Sequence, residues 1–160
     1  MDSMVNLYLQ RAENEIILAK TNFDISVDNK LKDFLKIPKE KTFFNDVISQ
    51  CYYSIFYSAK AYLLSRRIKT EPPEEHRKTY EEFKELINSG QLDKHLMDIY
   101  EKETEKAEVL LNIFHIEKGK RGKFTYNVNA NANIPHAEES IRNAKKFASI
   151  IKHLLENTGK

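Results

Sequence analysis

The stretch from Asn45 to Arg67 constrains this chain more than any other. Ile48, Tyr52, Ile55, Ala59 and Tyr62 fall three and four residues apart and so form one helical stripe, which Phe56 and Leu63 widen. So broad an apolar surface must be covered from several sides, which predicts a central helix. Ser54, Ser58 and Ala61 on the same segment let a neighbouring backbone come close. Lys69 to Pro73 ends it, because proline cannot continue a helix and restrains the residue before it.

The flanking sequence supplies the cover. Val5, Leu9, Ala12, Ile16, Ala19 and Phe23 alternate four and three apart and predict a first helix with a wet opposite face. Residues 25–42 break the pattern and read as a connector, in which Leu31, Phe34 and Leu35 mark a minor helix lying on the bundle. A third main helix starts near Glu74, carries Tyr80, Phe83 and Ile87, and stops at Ser89-Gly90, where glycine suits a left-handed closing residue. A fourth begins near Leu92, passes Leu96 and Ile99, and resumes with Leu110, Leu111 and Phe114 after the charged run 101–106, either as one helix or two. The last opens at Pro135 and follows Ala137, Ile141, Ala144, Ala148, Ile151 and Leu155, a bundle seam.

With only 4 glycines and 4 prolines in 160 residues, the expected fold is all-α: one domain over 1–160, an antiparallel up-down bundle of four to five main helices. Lysine and arginine number 26 against 24 acidic residues, so no global field demands nucleic acid or a membrane, and any attraction must come from local clustering. The single cysteine, Cys51, sits in an apolar run and is expected to pack as a small hydrophobe in a reducing compartment. No segment approaches the roughly 20 apolar residues that span a bilayer, and charges come too early for a signal peptide. The expected place is the cytoplasm, with no membrane.

Local clustering occurs at residues 119–134. Two glycines, four asparagines and no helical period predict a long loop, and long loops in compact domains are often functional. Lys118, Lys120, Arg121 and Lys123 flank Gly119 and Gly122, a composition that suits a phosphate. Phe124 and Tyr126 can stack on bases, and the asparagines at 127, 129, 131 and 133 can bond base edges. The plainer reading is a solvated, solubilising loop.

Other chemistry is excluded or bland. No Glu-x-x-His or His-Glu-x-x-His exists, one cysteine cannot build a thiolate zinc site, and neither a P-loop nor a dinucleotide fingerprint is present. No metal or cofactor is expected. His76, after Glu74 and Glu75, reads as an ordinary residue of a first helical turn. Tyr52, Tyr53, Phe56, Tyr57 and Tyr62 read as core or dimer interface, though their hydroxyls need partners, which points to a partly wet groove beside that helix.

The order of these features resembles the HEPN family of prokaryotic helical proteins. Residues 8–15 (YLQRAENE) look like its first helix and 51–64 (CYYSIFYSAKAYLL) like its small-and-aromatic second helix. His76 with Phe83, and then Arg121 to Tyr126 before Ala137, Ile141, Ala144 and Phe147, complete the likeness over nearly the whole chain. The resemblance implies an antiparallel bundle, commonly a homodimer, found in RNA-cleaving toxins and nucleotide-binding modules and often paired with a small nucleotidyltransferase. Nuclease members carry Arg, four to six residues, then His. Here Arg121 is followed at that distance by Tyr126, and a free phenol, with a pKa of roughly 10, trades protons poorly near neutrality.

The first expectation is therefore a non-catalytic nucleotide- or RNA-binding module of a toxin-antitoxin-like or nucleotidyltransferase-associated system, with Lys120, Arg121, Lys123 and Tyr126 at the phosphate. Two alternatives stand beside it. One is a divergent metal-independent endoribonuclease with Arg121 for charge and Tyr126 or His136 as proton carrier. The other is a purely structural or protein-interaction bundle.

Overall fold

A computed structural model describes residues 2–93, 107–127 and 131–157. Its described helices are α1 (Ser3–Val27), α2 (Asn29–Leu35), α3 (Phe44–Ser65), α4 (Glu75–Asn88), α5 (Ala107–Tyr126) and α6 (Ile134–Asn157). No strand occurs among the described residues. The expected helix positions at Leu96 and Ile99, and the charged run 101–106, lie outside them.

The central helix follows from its sequence. On α3, Val47, Ile48, Cys51, Tyr52, Ile55 and Tyr62 are buried, and the helix touches α1, α4, α5 and α6. Each large apolar side chain so covered contributes about 1.5–3 kcal/mol. Pairings give the directions. Tyr8 stacks on Tyr57 while Phe23 meets Phe44, so α1 runs antiparallel to α3. Arg121 reaches Tyr53 and Thr125 reaches Ser49, so α5 does too. Glu117 with Asn143 and Phe124 with His136 make α5 and α6 an antiparallel hairpin. These four helices form an up-down bundle. The shorter α4 lies against α3 and α5, where Phe83 meets Phe114 and Phe147 at ring distances of 6.0 and 5.5 Å.

Element ends follow the local chemistry. Asp2 caps α1 by accepting from the Met4 amide, and Asp28 ends α1 and caps α2 through the amides of Lys30 and Leu31. The connector expected at 25–42 is thus shorter, because α1 continues through Val27. Its minor helix forms, yet Phe34 is 82% exposed and does not lie on the bundle. The buried member of α2 is Lys32, whose ammonium donates to the Lys39 carbonyl at 2.7 Å. Gly90 has φ of 70°, the left-handed stop expected after α4.

The loop expected at 119–134 is overturned: α5 runs through Tyr126, leaving only 127–133 between helices, of which 128–130 lie outside the described residues. The reason is a buried face whose members are partly charged. Leu110, Ile113, Phe114, Glu117 and Phe124 are all buried at helical spacing, and Lys120 and Arg121 continue the same side half-buried. Glu117 is compensated by Lys120 at 3.2 Å and Asn143 at 2.8 Å. The two glycines sit on the opposite, exposed face, where an added Cβ would meet nothing within 4 Å.

Glycine within a helix is less favourable than alanine by roughly 0.5–1 kcal/mol. Gly119→Ala and Gly122→Ala should therefore each raise stability by about that amount in urea denaturation. A loop at these positions would predict no gain.

Candidate functional site

Helix α5 brings Arg121 against the aromatic face of α3. Its guanidinium carbon lies 4.8 Å from the ring centre of Tyr52, 5.0 Å from Tyr53 and 5.1 Å from Tyr126. Nη2 donates to the Tyr53 hydroxyl at 2.9 Å, and Nε is buried without a partner. Three aromatic faces hold the cation in one orientation, since each ring's negative face attracts it. Arg121 keeps Nη1 without a hydrogen bond among the described residues.

The first turn of α4 adds His76 to the same place. Its ring lies 4.1 Å from Phe56 and 5.7 Å from both Tyr52 and Tyr53, and Nδ1 is 3.0 Å from the Tyr52 hydroxyl. Burial holds the imidazole below its ordinary value of 6.5, and the neighbouring Arg121 charge pushes the same way, partly opposed by Glu75. Burial also raises the Tyr52 phenol to about 12, with Arg121 opposing, so it stays protonated and is able to donate to Nδ1. In that arrangement the proton of the neutral imidazole sits on Nε2.

The residues expected at the phosphate do not all converge. Lys120 points away, toward Glu117, the Glu139 carboxylate and, at 3.4 Å, the Ser140 hydroxyl. It neutralises a buried carboxylate and is structural. Lys123 is exposed, its ammonium 5.1 Å from the ring of Phe124. Tyr126, 65% exposed, closes the outer side of Arg121. His136 packs against Phe124 at 5.0 Å and exchanges hydrogen bonds with Asn133 at the start of α6. No contact joins His136 to Arg121 among the described residues. Asn133 is a helix cap rather than a base reader, and Asn129 lies outside the described residues. Lys118 lies over Tyr80 at 4.2 Å, and Tyr80 in turn meets His115 at 3.2 Å.

His76 is the site member that sequence reading left out. The available signal was the crowd of tyrosines on α3, whose hydroxyls required partners; His76 is the partner of Tyr52. Among the described residues no three His, Cys, Asp or Glu side chains gather as for a metal ion, and no helix is long and apolar enough to cross a membrane. Cys51 is buried, and burial pushes its thiol up. Compared with known proteins, the chain matches no family model and no curated sequence.

Two outcomes follow. Because the folded pKa of His76 lies below its unfolded value, the stability tied to its neutral form is present above about pH 6.5 and is lost as pH falls through that value toward the folded midpoint. An NMR titration should place the His76 midpoint below 6.5, and Arg121→Gln should move it upward. Lys120→Ala, which leaves the buried Glu117 carboxylate with the Asn143 amide but no cation beside it, should lower stability by about 3 kcal/mol in urea denaturation.

Proposed function

We propose that this chain is a HEPN-like helical module that holds a phosphate group of a nucleotide or RNA at Arg121 without cutting it. The observation that carries the reading is the guanidinium fixed among Tyr52, Tyr53 and Tyr126 with one edge unbonded and His76 beside it. A preset fork loses little freedom on meeting a phosphate oxygen, and charge-assisted hydrogen bonds of this kind are the strong ones. Tyr126, exposed and next to the cation, supplies a face for a base. The anion-binding set is accordingly Arg121 and Tyr126, and Lys120, whose ammonium is held by Glu117 and Glu139, is withdrawn from it.

One observation favours cleavage as a second reading. The histidine missing from the Arg-to-His spacing on α5 has a counterpart in His76, contributed by α4. Its neutral ring would take the proton of a ribose 2′-hydroxyl as that oxygen attacks phosphorus, with Arg121 countering charge on the phosphoryl oxygens. The 5′ oxygen would leave with a proton from water, giving a 2′,3′-cyclic phosphate and a 5′-hydroxyl. Holding is preferred because His76 already has Nδ1 engaged by Tyr52 and its ring enclosed by Phe56.

The resemblance also favours a homodimer and a small nucleotidyltransferase partner. Met4, Leu7 and Leu18 are 45%, 41% and 48% exposed along α1 and provide apolar surface for a second copy.

Wild type and the Arg121→Ala and His76→Ala variants should be titrated with short RNA and with nucleotide at low salt, in chelator. Arg121→Ala is expected to weaken binding about tenfold or more, while His76→Ala retains most of it. Unchanged binding in Arg121→Ala sinks the proposal. Cyclic-phosphate ends produced by wild type but not by His76→Ala would replace holding with cleavage.

A further inference from the structure

The seam between α4 and α5 carries a second cation. Lys118 and Arg121 are three residues apart on α5, a spacing that puts side chains on one helix face with Cβ atoms about 5–6 Å apart. His76 and Tyr80 are four apart on α4 and share a face in the same way. Each cation has its own ring: Arg121 lies over Tyr52, whose hydroxyl meets His76, and Lys118 lies over Tyr80 at 4.2 Å. Phe114 joins the two rings, its centre 6.2 Å from that of Tyr52 and 5.4 Å from that of Tyr80. Burial first, then the charges of Arg121, Lys60 and Lys118, hold the His76 imidazole below its ordinary value against Glu75, so Lys118 is within electrostatic reach of the ring that Arg121 neighbours.

The charge of this seam is uncompensated. Glu75 is held by Lys60 and Glu117 by Lys120, so the carboxylates next to the two cations in sequence or space are already paired. Lys118 makes no hydrogen bond or ion pair among the described residues, and Arg121 donates only to the Tyr53 hydroxyl. Both side chains are half-buried, so solvent and its solutes reach them while the rings restrict their motion. Like charges held on one face repel, and an anion that meets both removes that repulsion.

We propose that Lys118 is a second phosphate subsite beside Arg121, and that the ligand of this seam carries two phosphate groups. The inference rests on the phosphate reading of Arg121 and adds a partner to it. One phosphate takes the unbonded edge of the guanidinium, and the other takes the Lys118 ammonium, which has three donors and no acceptor among the described residues. A nucleoside diphosphate and two successive phosphates of a strand both present this chemistry, the first with its phosphates sharing an oxygen and the second with a ribose between them.

The test is a calorimetric titration of the full chain, in chelator at low salt, with AMP, ADP and adenosine 3′,5′-bisphosphate, the last standing for successive phosphates of a strand. At least one of the two-phosphate ligands should bind about tenfold tighter than AMP, the ratio for one further charge-assisted hydrogen bond. A larger gain for ADP assigns the site to a diphosphate, and a larger gain for the bisphosphate assigns it to a strand. Lys118→Gln, which keeps most of the stem over Tyr80, should bring that ligand down to the affinity of AMP. Lys20→Gln, the same loss of charge at an exposed position on α1, should leave the gain in place. Equal binding of all three ligands, or a gain that survives Lys118→Gln or is lost equally in Lys20→Gln, would overturn the second subsite while leaving the reading of Arg121 intact. Wild type that binds none of them, or AMP binding unchanged in Arg121→Ala, would overturn both.

Discussion

The structure depends on the burial of α3. A helix with Tyr52, Phe56 and Tyr62 among its covered residues has no single dry face, so it gains from neighbours on every side and determines where they go. Helices α1, α5 and α6 complete the bundle around it, and α4 fills the side where Phe83, Phe114 and Phe147 interlock. The same aromatic surface that drives packing also forms the candidate site. Tyrosine presents an apolar ring to the core and a hydroxyl that must find a partner. Tyr53 finds Arg121 and Tyr52 finds His76.

Helix α5 shows how charge can occupy an inward face. Glu117 stands where a bundle helix would ordinarily place an aliphatic residue, and it is tolerated because Lys120 and Asn143 reach it. Arg121 is tolerated by another means, lying among rings that attract its charge. A polar stretch between Phe114 and Phe124 therefore continues a helix whose packing side is electrostatic rather than apolar. The glycines that looked like loop residues occupy the opposite face, where nothing packs.

This explains what sequence reading found and what it missed in the site. Arg121 and Tyr126 were legible because basic and aromatic residues clustered there, although their helical setting was not. The ion pairs of Lys120 were not legible because its partners are on the same helix and on α6, and pairing between elements leaves no mark on local composition. His76 was read only as a first-turn residue because it lies 45 residues before Arg121 in the sequence, and only the approach of α4 to α3 and α5 brings the two together.

By itself the sequence determined the all-helical class, the central place of α3, the seams of α1 and α6 and the stop at Gly90, because these depend on hydrophobic period and on the backbone preferences of single residues. The tertiary structure alone decided that α5 continues to Tyr126, that Lys120 serves the core, and that His76 faces Arg121. Each of those rests on a charge or ring whose environment is supplied by a different helix, and burial and electrostatic pairing are properties of the packed chain rather than of any segment of it.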